Sequence, residues 1–319
     1  MMEISRITES LPYIGMILSQ CAQVGLIILS KQAMASGMTN FTFVFYSNAL
    51  ATLILLPSFF FYRSRPPLNF QLICRFFLLG ILGCSAQLTG YAGIKYTNAS
   101  FASTMLNLIP GFTFILAIIF RLEKVDWRSA STLAKSIGTV VSIVGAFIVT
   151  LYKGPELLNV LSSVKSLHPF LSLPQSDWVI GGLFLAVDCV AASAFLIVQA
   201  SILKSYPAEL IIVCFYCLFA AILSAVVSIF IGGGLGAWSL LPTTRWLTVL
   251  YSGVLGSAFQ VGVSTWCVQK KGPVFVAMFH PLGIVIAAIL GISFLGDILY
   301  LGRYVLHFHF DPWTLKRNF

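Results

Sequence analysis

The chain writes one proline-broken, membrane-length unit twice. Residues 95 to 124 read KYTNASFASTMLNLIPGFTFILAIIFRLEK, and residues 268 to 297 read VQKKGPVFVAMFHPLGIVIAAILGISFLGD. In each, a basic or polar turn leads into an apolar helix interrupted by a proline, Pro110 or Pro281. A second apolar run then ends on an acid, Glu123 or Asp297. The prolines lie 171 positions apart, and Ser85 with Ser257, Gly90 with Gly262, Tyr46 with Tyr216 and Cys21 with Cys189 keep nearly that offset. Such a duplication predicts a secondary transporter built from two repeats.

Lipid is the solvent this composition fits. Charged residues make up 9% of the chain and hydrophobic residues 58%, against roughly 25% charged in a soluble domain. Apolar runs of about 20 residues, enough to cross a bilayer as a helix, fall at 12–33, 41–62, 72–94, 101–120, 133–152, 178–198, 209–231, 246–267 and 275–296. These predict an all-α, polytopic membrane protein of about nine spans. The first repeat is expected over 1–152, a linker loop over 153–177, the second repeat over 178–302 and an atypical polar tail over 303–319. The N-terminus lacks the basic n-region and cleavage site of a signal peptide, so the first run reads as a retained span.

Lysine and arginine placement orients the chain. With a cytoplasmic N-terminus, the inner segments and adjoining helix ends hold Arg6, Arg63, Arg65, Arg75, Arg121, Lys124, Arg128, Lys135, Lys204, Lys270 and Lys271. The outer ones hold Lys95, Lys153, Lys165 and Arg245, with Lys31 near an outer helix end. The bias favours that orientation and gives the net charge of +9 a partner in anionic headgroups. It excludes nucleic acid as a partner, because the basic residues never form one face. Five spans before the linker force a second copy to enter the membrane from the other side, so the repeats are expected to be inverted, with a site between them.

The tenth span is the exception. After Asp297 the chain reads ILYLGRYVLHFHFDPWTLKRNF, where Arg303, His307, His309 and Asp311 interrupt the apolar run. Charge at mid-membrane costs several kcal/mol, and Pro312 would break a helix further. The sequence therefore predicts an apparently missing tenth helix, as in an alternative splice form, and a tail ending outside. It also leaves room for a second role, a truncated, non-transporting membrane protein that pairs with or modulates full-length relatives as a homo- or hetero-dimer.

The segments ILSKQAMASGMTNFTFVFYSNALATLILLP, YTNASFASTMLNLIPGFTFILAIIFRLEKV, VQASILKSYPAEL, WCVQKKGPVFVAMFHPL and FLGDILYLG resemble the drug/metabolite transporter superfamily, in its EamA-like branch. More narrowly they are similar to the plant nodulin-like, walls-are-thin-related proteins. That resemblance implies ten helices with both termini cytoplasmic and a carrier whose relatives include bidirectional amino-acid facilitators. It also leaves two membranes open, plasma and vacuolar.

Intramembrane polar side chains are the candidates for the site, since they usually face the bundle interior. Gln20, Gln23 and Lys31 fall on one face of the first span with Ile27 between them. An offset of 168 puts Gln20 on Asp188 and Lys31 on Gln199. Gln87 and Tyr91 share a face of the third span, Ser103 and Asn107 one of the fourth, and Ser257, Gln260 and Ser264 a stripe of the eighth. Each amide has a plain alternative in interhelical packing, worth around 0.6 kcal/mol. Tyr46, Tyr91 and Tyr216 can pack or join the aromatic belt, and Lys31 can snorkel outward. Asp188 stands apart, because a central carboxylate needs a partner or a proton. It is expected to couple protons or to contact a substrate amine. Pro110 and Pro281 release backbone carbonyls, which line a cavity or merely mark a kink.

Other signals are thin. Cys214 and Cys217 lie at lipid depth without histidine partners, which argues against a metal, and Gly232 to Gly234 lack the lysine of a phosphate-binding loop. No cofactor is expected. Nor is an enzyme, since Asp188 has no second carboxylate or histidine beside it in the sequence at one depth.

Overall fold

The computed structural model describes residues 2–61, 68–97, 101–102, 105–122, 137–141, 144, 175–231, 238–241, 243–283 and 286. Among them every regular element is helical. The helices are α1 (Met2–Ala35), α2 (Asn40–Leu55), α3 (Phe70–Tyr96), α4 (Leu108–Ile119), α5 (Gln175–Ser205), α6 (Glu209–Ile231), α7 (Thr243–Lys271) and α8 (Pro273–Gly283). Five stretches among the described residues are long and apolar enough to cross a bilayer: Ser10–Ser30, Phe70–Tyr96, Val179–Ser205, Glu209–Phe230 and Thr243–Lys271. The protein is a polytopic, all-α membrane protein.

Two-sided apolarity shows how such helices sit in lipid. Phe230 is 84% exposed and Ile229 71%, whereas Ile211, Ile212 and Val213 of the same helix are fully buried. In water that outer surface would be an aggregation hazard; in a bilayer it is the lipid face. Helix contact then depends on close backbone approach, and α3 supplies it with glycines. The Phe219 side chain of α6 lies against Gly80, the Tyr216 ring against Gly83, and Leu185 of α5 against Gly93.

Contacts follow the internal offset. Shifting by about 170 residues relates α1 to α5, α2 to α6, α3 to α7 and α4 to α8. In the structure α3 packs on α5 and the related pair, α7 and α1, pack together. α2 packs on its own counterpart α6, and α4 on its counterpart α8.

Several spans differ from their sequence bounds. The run 41–62 is a helix only to Leu55, and Ser58–Phe61 forms a separate single turn. The run 178–198 continues helically to Ser205. In α7, Ser252–Gln260 is π-helical between two α-helical pieces. The duplicated prolines do not sit where the helices break. The breaks are the turns at Leu106–Asn107 and Met278–Phe279, and Pro110 and Pro281 fall in the first turn of the helix that restarts. A missing N–H costs little there, because first-turn amides have no intrahelical partner. Residues 175–177 of the expected linker 153–177 already belong to α5, while most of 133–152, residues 153–174 and everything from 287 onward, including the questioned tenth helix, lie outside the described residues.

Candidate functional site

The helices line a cavity of about 210 Å³. Gln23 and Ile27 reach it from α1, Ser47 from α2, Gln87 and Tyr91 from α3, Asp188 from α5, Tyr216 from α6, Gln260 from α7 and His280 from α8. Leu106 and Ile109, beside the first helix break, complete a mainly apolar wall. At ~30 Å³ per water, this volume equals about seven waters, the scale of a small metabolite. Few polar groups converge in an otherwise apolar space, as in ligand pockets generally.

Asp188 is 9% exposed and stands against the α3 backbone. A methyl group on Gly90 would come within 2.8 Å of its Oδ2. Among the described residues the carboxylate makes no ion pair and no hydrogen bond to protein. Glycine at 90 is therefore what admits the carboxylate between α3 and α5.

Two hydrogen-bonded sets fix the rest of the lining. Asn48 Nδ2 donates to Gln87 Oε1 at 2.8 Å and also to the Val44 carbonyl at 2.9 Å, and Gln87 Nε2 donates to the Tyr216 hydroxyl at 2.8 Å. This chain joins α2, α3 and α6. Across the cavity, Gln260 Nε2 donates to Gln23 Oε1 at 2.6 Å, joining α7 to α1. The π-helical turn of α7 contributes Ser252, Gly256, Ser257 and Gln260 to the lining. Gly253 and Gly256 there let Leu50 of α2 and Leu26 of α1 press directly on the helix backbone. Single π-turns commonly mark functional sites.

Of the sequence candidates, Gln23, Gln87, Tyr91, Asp188 and Gln260 meet at this cavity. Gln20, Asn107 and Gln199 are buried outside its lining. Gln199 Nε2 donates to Thr265 Oγ1 at 2.8 Å, an α5–α7 packing contact, and Gln20 Oε1 lies beside Gly283 of α8. Pro110 is buried and Pro281 half-buried; neither ring lines the cavity, although their neighbours Ile109 and His280 do. The Lys31 side chain and Ser103 lie outside the described residues. Sequence reading passed over His280, Asn48 and Ser47.

The ends of the bundle are closed by different chemistry. At the end that the charge pattern assigns to the outside, buried Arg245 donates from Nε to Ser36 Oγ at 2.9 Å and from a terminal nitrogen to the Ser239 carbonyl at 2.9 Å. It also donates to the Ser36 carbonyl. Tyr46 donates its hydroxyl to the Trp238 carbonyl at 2.9 Å. At the other end Tyr13 meets Phe275 edge-on at 5.2 Å, beneath Lys271, and Phe76 stacks on Phe215 at 5.0 Å.

Known proteins share this architecture and its sequence. Residues 11–151 match the EamA-like transporter family. Three WAT1-related proteins of Arabidopsis thaliana are 44%, 42% and 41% identical, each over 93% of this chain and over 82%, 83% and 84% of theirs. The chain belongs to the WAT1-related proteins. At the level of that family it is a membrane transporter. A solved crystal structure with 14% identity shares the fold at a TM-score of 0.59, covering 92% of this chain and 93% of that one.

Proposed function

We propose that this chain is a secondary carrier of small polar or amphipathic metabolites, amino acids first among them, that works by alternating access. The observation carrying the reading is Asp188: a carboxylate without a hydrogen-bond or ion-pair partner among the described residues, in a metabolite-sized cavity walled by helices from both halves. Burying such a group is costly, so retaining it has a use, either as a proton-coupling group or as a contact for a substrate amine. The reading takes residues 1–152 and 178–302 as inverted repeats joined by a loop over 153–177, with 303–319 as a polar tail. The contacts of α3 with α5 and of α7 with α1 support this as two equivalent seams about which the halves can rock. For the outer end to open, the Arg245 and Tyr46 hydrogen bonds must break. The membrane it serves is the plasma membrane or the vacuolar membrane.

Uptake and efflux of radiolabelled amino acids, in cells expressing the chain and in controls, test this. Flux above control in both directions supports a facilitator. Flux at the control level for every amino acid would remove that substrate class.

A further inference from the structure

The cavity contains an imidazole that the sequence candidates do not include. His280 lines it from the restart of α8, directly after the turn at Met278–Phe279. Its position relative to Pro281 matches that of Ile109 relative to Pro110, and Ile109 lines the same cavity. The two halves thus bring equivalent positions to one space, one apolar and one an imidazole. Asp188 belongs to the α3–α5 wall through Gly90, whereas the α8 segment of His280 packs by Gly283 against Gln20 and Val24 of α1. The acid and the imidazole therefore come from different walls.

One nitrogen of the imidazole is left unused by the described residues. Its Nδ1 is sealed and has no hydrogen-bond partner among the described residues. A neutral imidazole has one donor and one acceptor nitrogen. A buried N–H without an acceptor is the rarer and costlier orphan, so the proton belongs on Nε2. That leaves Nε2 as the nitrogen able to donate into the cavity. We propose that His280 Nε2 donates to a substrate carboxylate while Asp188 receives the amine of the same molecule, so that the cavity selects small zwitterions over compounds carrying one of the two groups. This rests on the carrier reading and gives its substrate a chemical definition.

Competition separates the two claims. The full chain is reconstituted in liposomes and uptake of radiolabelled valine is measured against unlabelled valine, isobutylamine, which lacks the carboxylate, and isovalerate, which lacks the amine. Hydrogen bonds to charged groups are worth enough to give about a tenfold discrimination each, so valine should compete at least about tenfold better than either analogue. His280→Leu should raise the KM for valine by about tenfold and erase its advantage over isobutylamine. His280→Gln, which retains an N–H donor, should restore part of both. If isobutylamine competes with the wild-type chain as well as valine does, the inference is overturned, and that measurement needs no variant. An unchanged valine KM in His280→Leu overturns it equally, while leaving the carrier reading in place. If the wild-type chain transports valine no faster than empty liposomes, the amino-acid reading falls first and the inference with it.

Discussion

Gln20 and Asp188 are 168 positions apart, on helices related by the internal offset, yet only Asp188 lines the cavity. Gln20 is buried against Gly283 instead. Both halves give the cavity neutral polar groups, Gln23, Ser47, Gln87 and Tyr91 from the first and Tyr216, Ser257 and Gln260 from the second, but among the described residues the carboxylate and the imidazole, Asp188 and His280, both come from the second. A duplicated scaffold supplies two equivalent seams, and side-chain divergence at matching positions makes the space between them chemically one-sided. On the proposed carrier reading, symmetry would serve the motion and its local failure recognition.

The largest effect that tests this difference comes from moving the charge. Asp188→Asn should lower uptake at least about tenfold at equal amounts of membrane protein, since an amide is nearly isosteric but cannot carry the charge or take the proton. The exchange Gln20→Asp with Asp188→Gln should not rescue it, because position 20 lies outside the lining. Rescue in transport assays would mean that the halves are functionally equivalent at this site. Next in size is Arg245→Ala, which removes three hydrogen bonds tying Ser36 to Ser239 across the halves. It should lower the melting temperature in detergent and make a cysteine at Ser36 react faster with an impermeant thiol reagent added outside.

Smaller effects separate lining from packing. Gln87→Leu breaks the chain from Asn48 to Tyr216 and should raise the substrate KM a few-fold, with a stability loss of about 1 kcal/mol. Gln199→Leu breaks only the contact with Thr265. It should cost about 0.6 kcal/mol in unfolding and leave KM unchanged. A KM shift as large as that for Gln87→Leu would place Gln199 in the site.

Sequence carried the helices and several of the polar positions that line the cavity, because apolar length and intramembrane polarity are local properties. Asp188 was legible for that reason, and so was the Gln87–Tyr91 face. The exact helix breaks were not, since a proline in a first turn and a proline in a helix interior look alike in one dimension. The π-turn at Ser252–Gln260 depends on how α1 and α2 press on Gly256 and Gly253, which is tertiary information. Asn48 escaped notice because nothing near it in sequence shows that Gln87 will accept its proton. His280 had a signal, an imidazole at lipid depth beside a duplicated proline, and pairing it with Ile109 would have found it. Gln20 and Gln199 are buried outside the lining, because an offset in the chain relates positions along two helices and does not fix which of them face the cavity.

The central claim, that this cavity is the transport site, is tested most directly by filling it. Ala86 and Ala192 line it from α3 and α5 and are small, half-buried positions. Ala86→Phe and Ala192→Phe should each reduce radiolabelled amino-acid uptake to the level of empty liposomes, with the protein still monodisperse and present in the membrane at the wild-type amount. Wild-type uptake by both folded variants would contradict it and place the transport path elsewhere in the bundle.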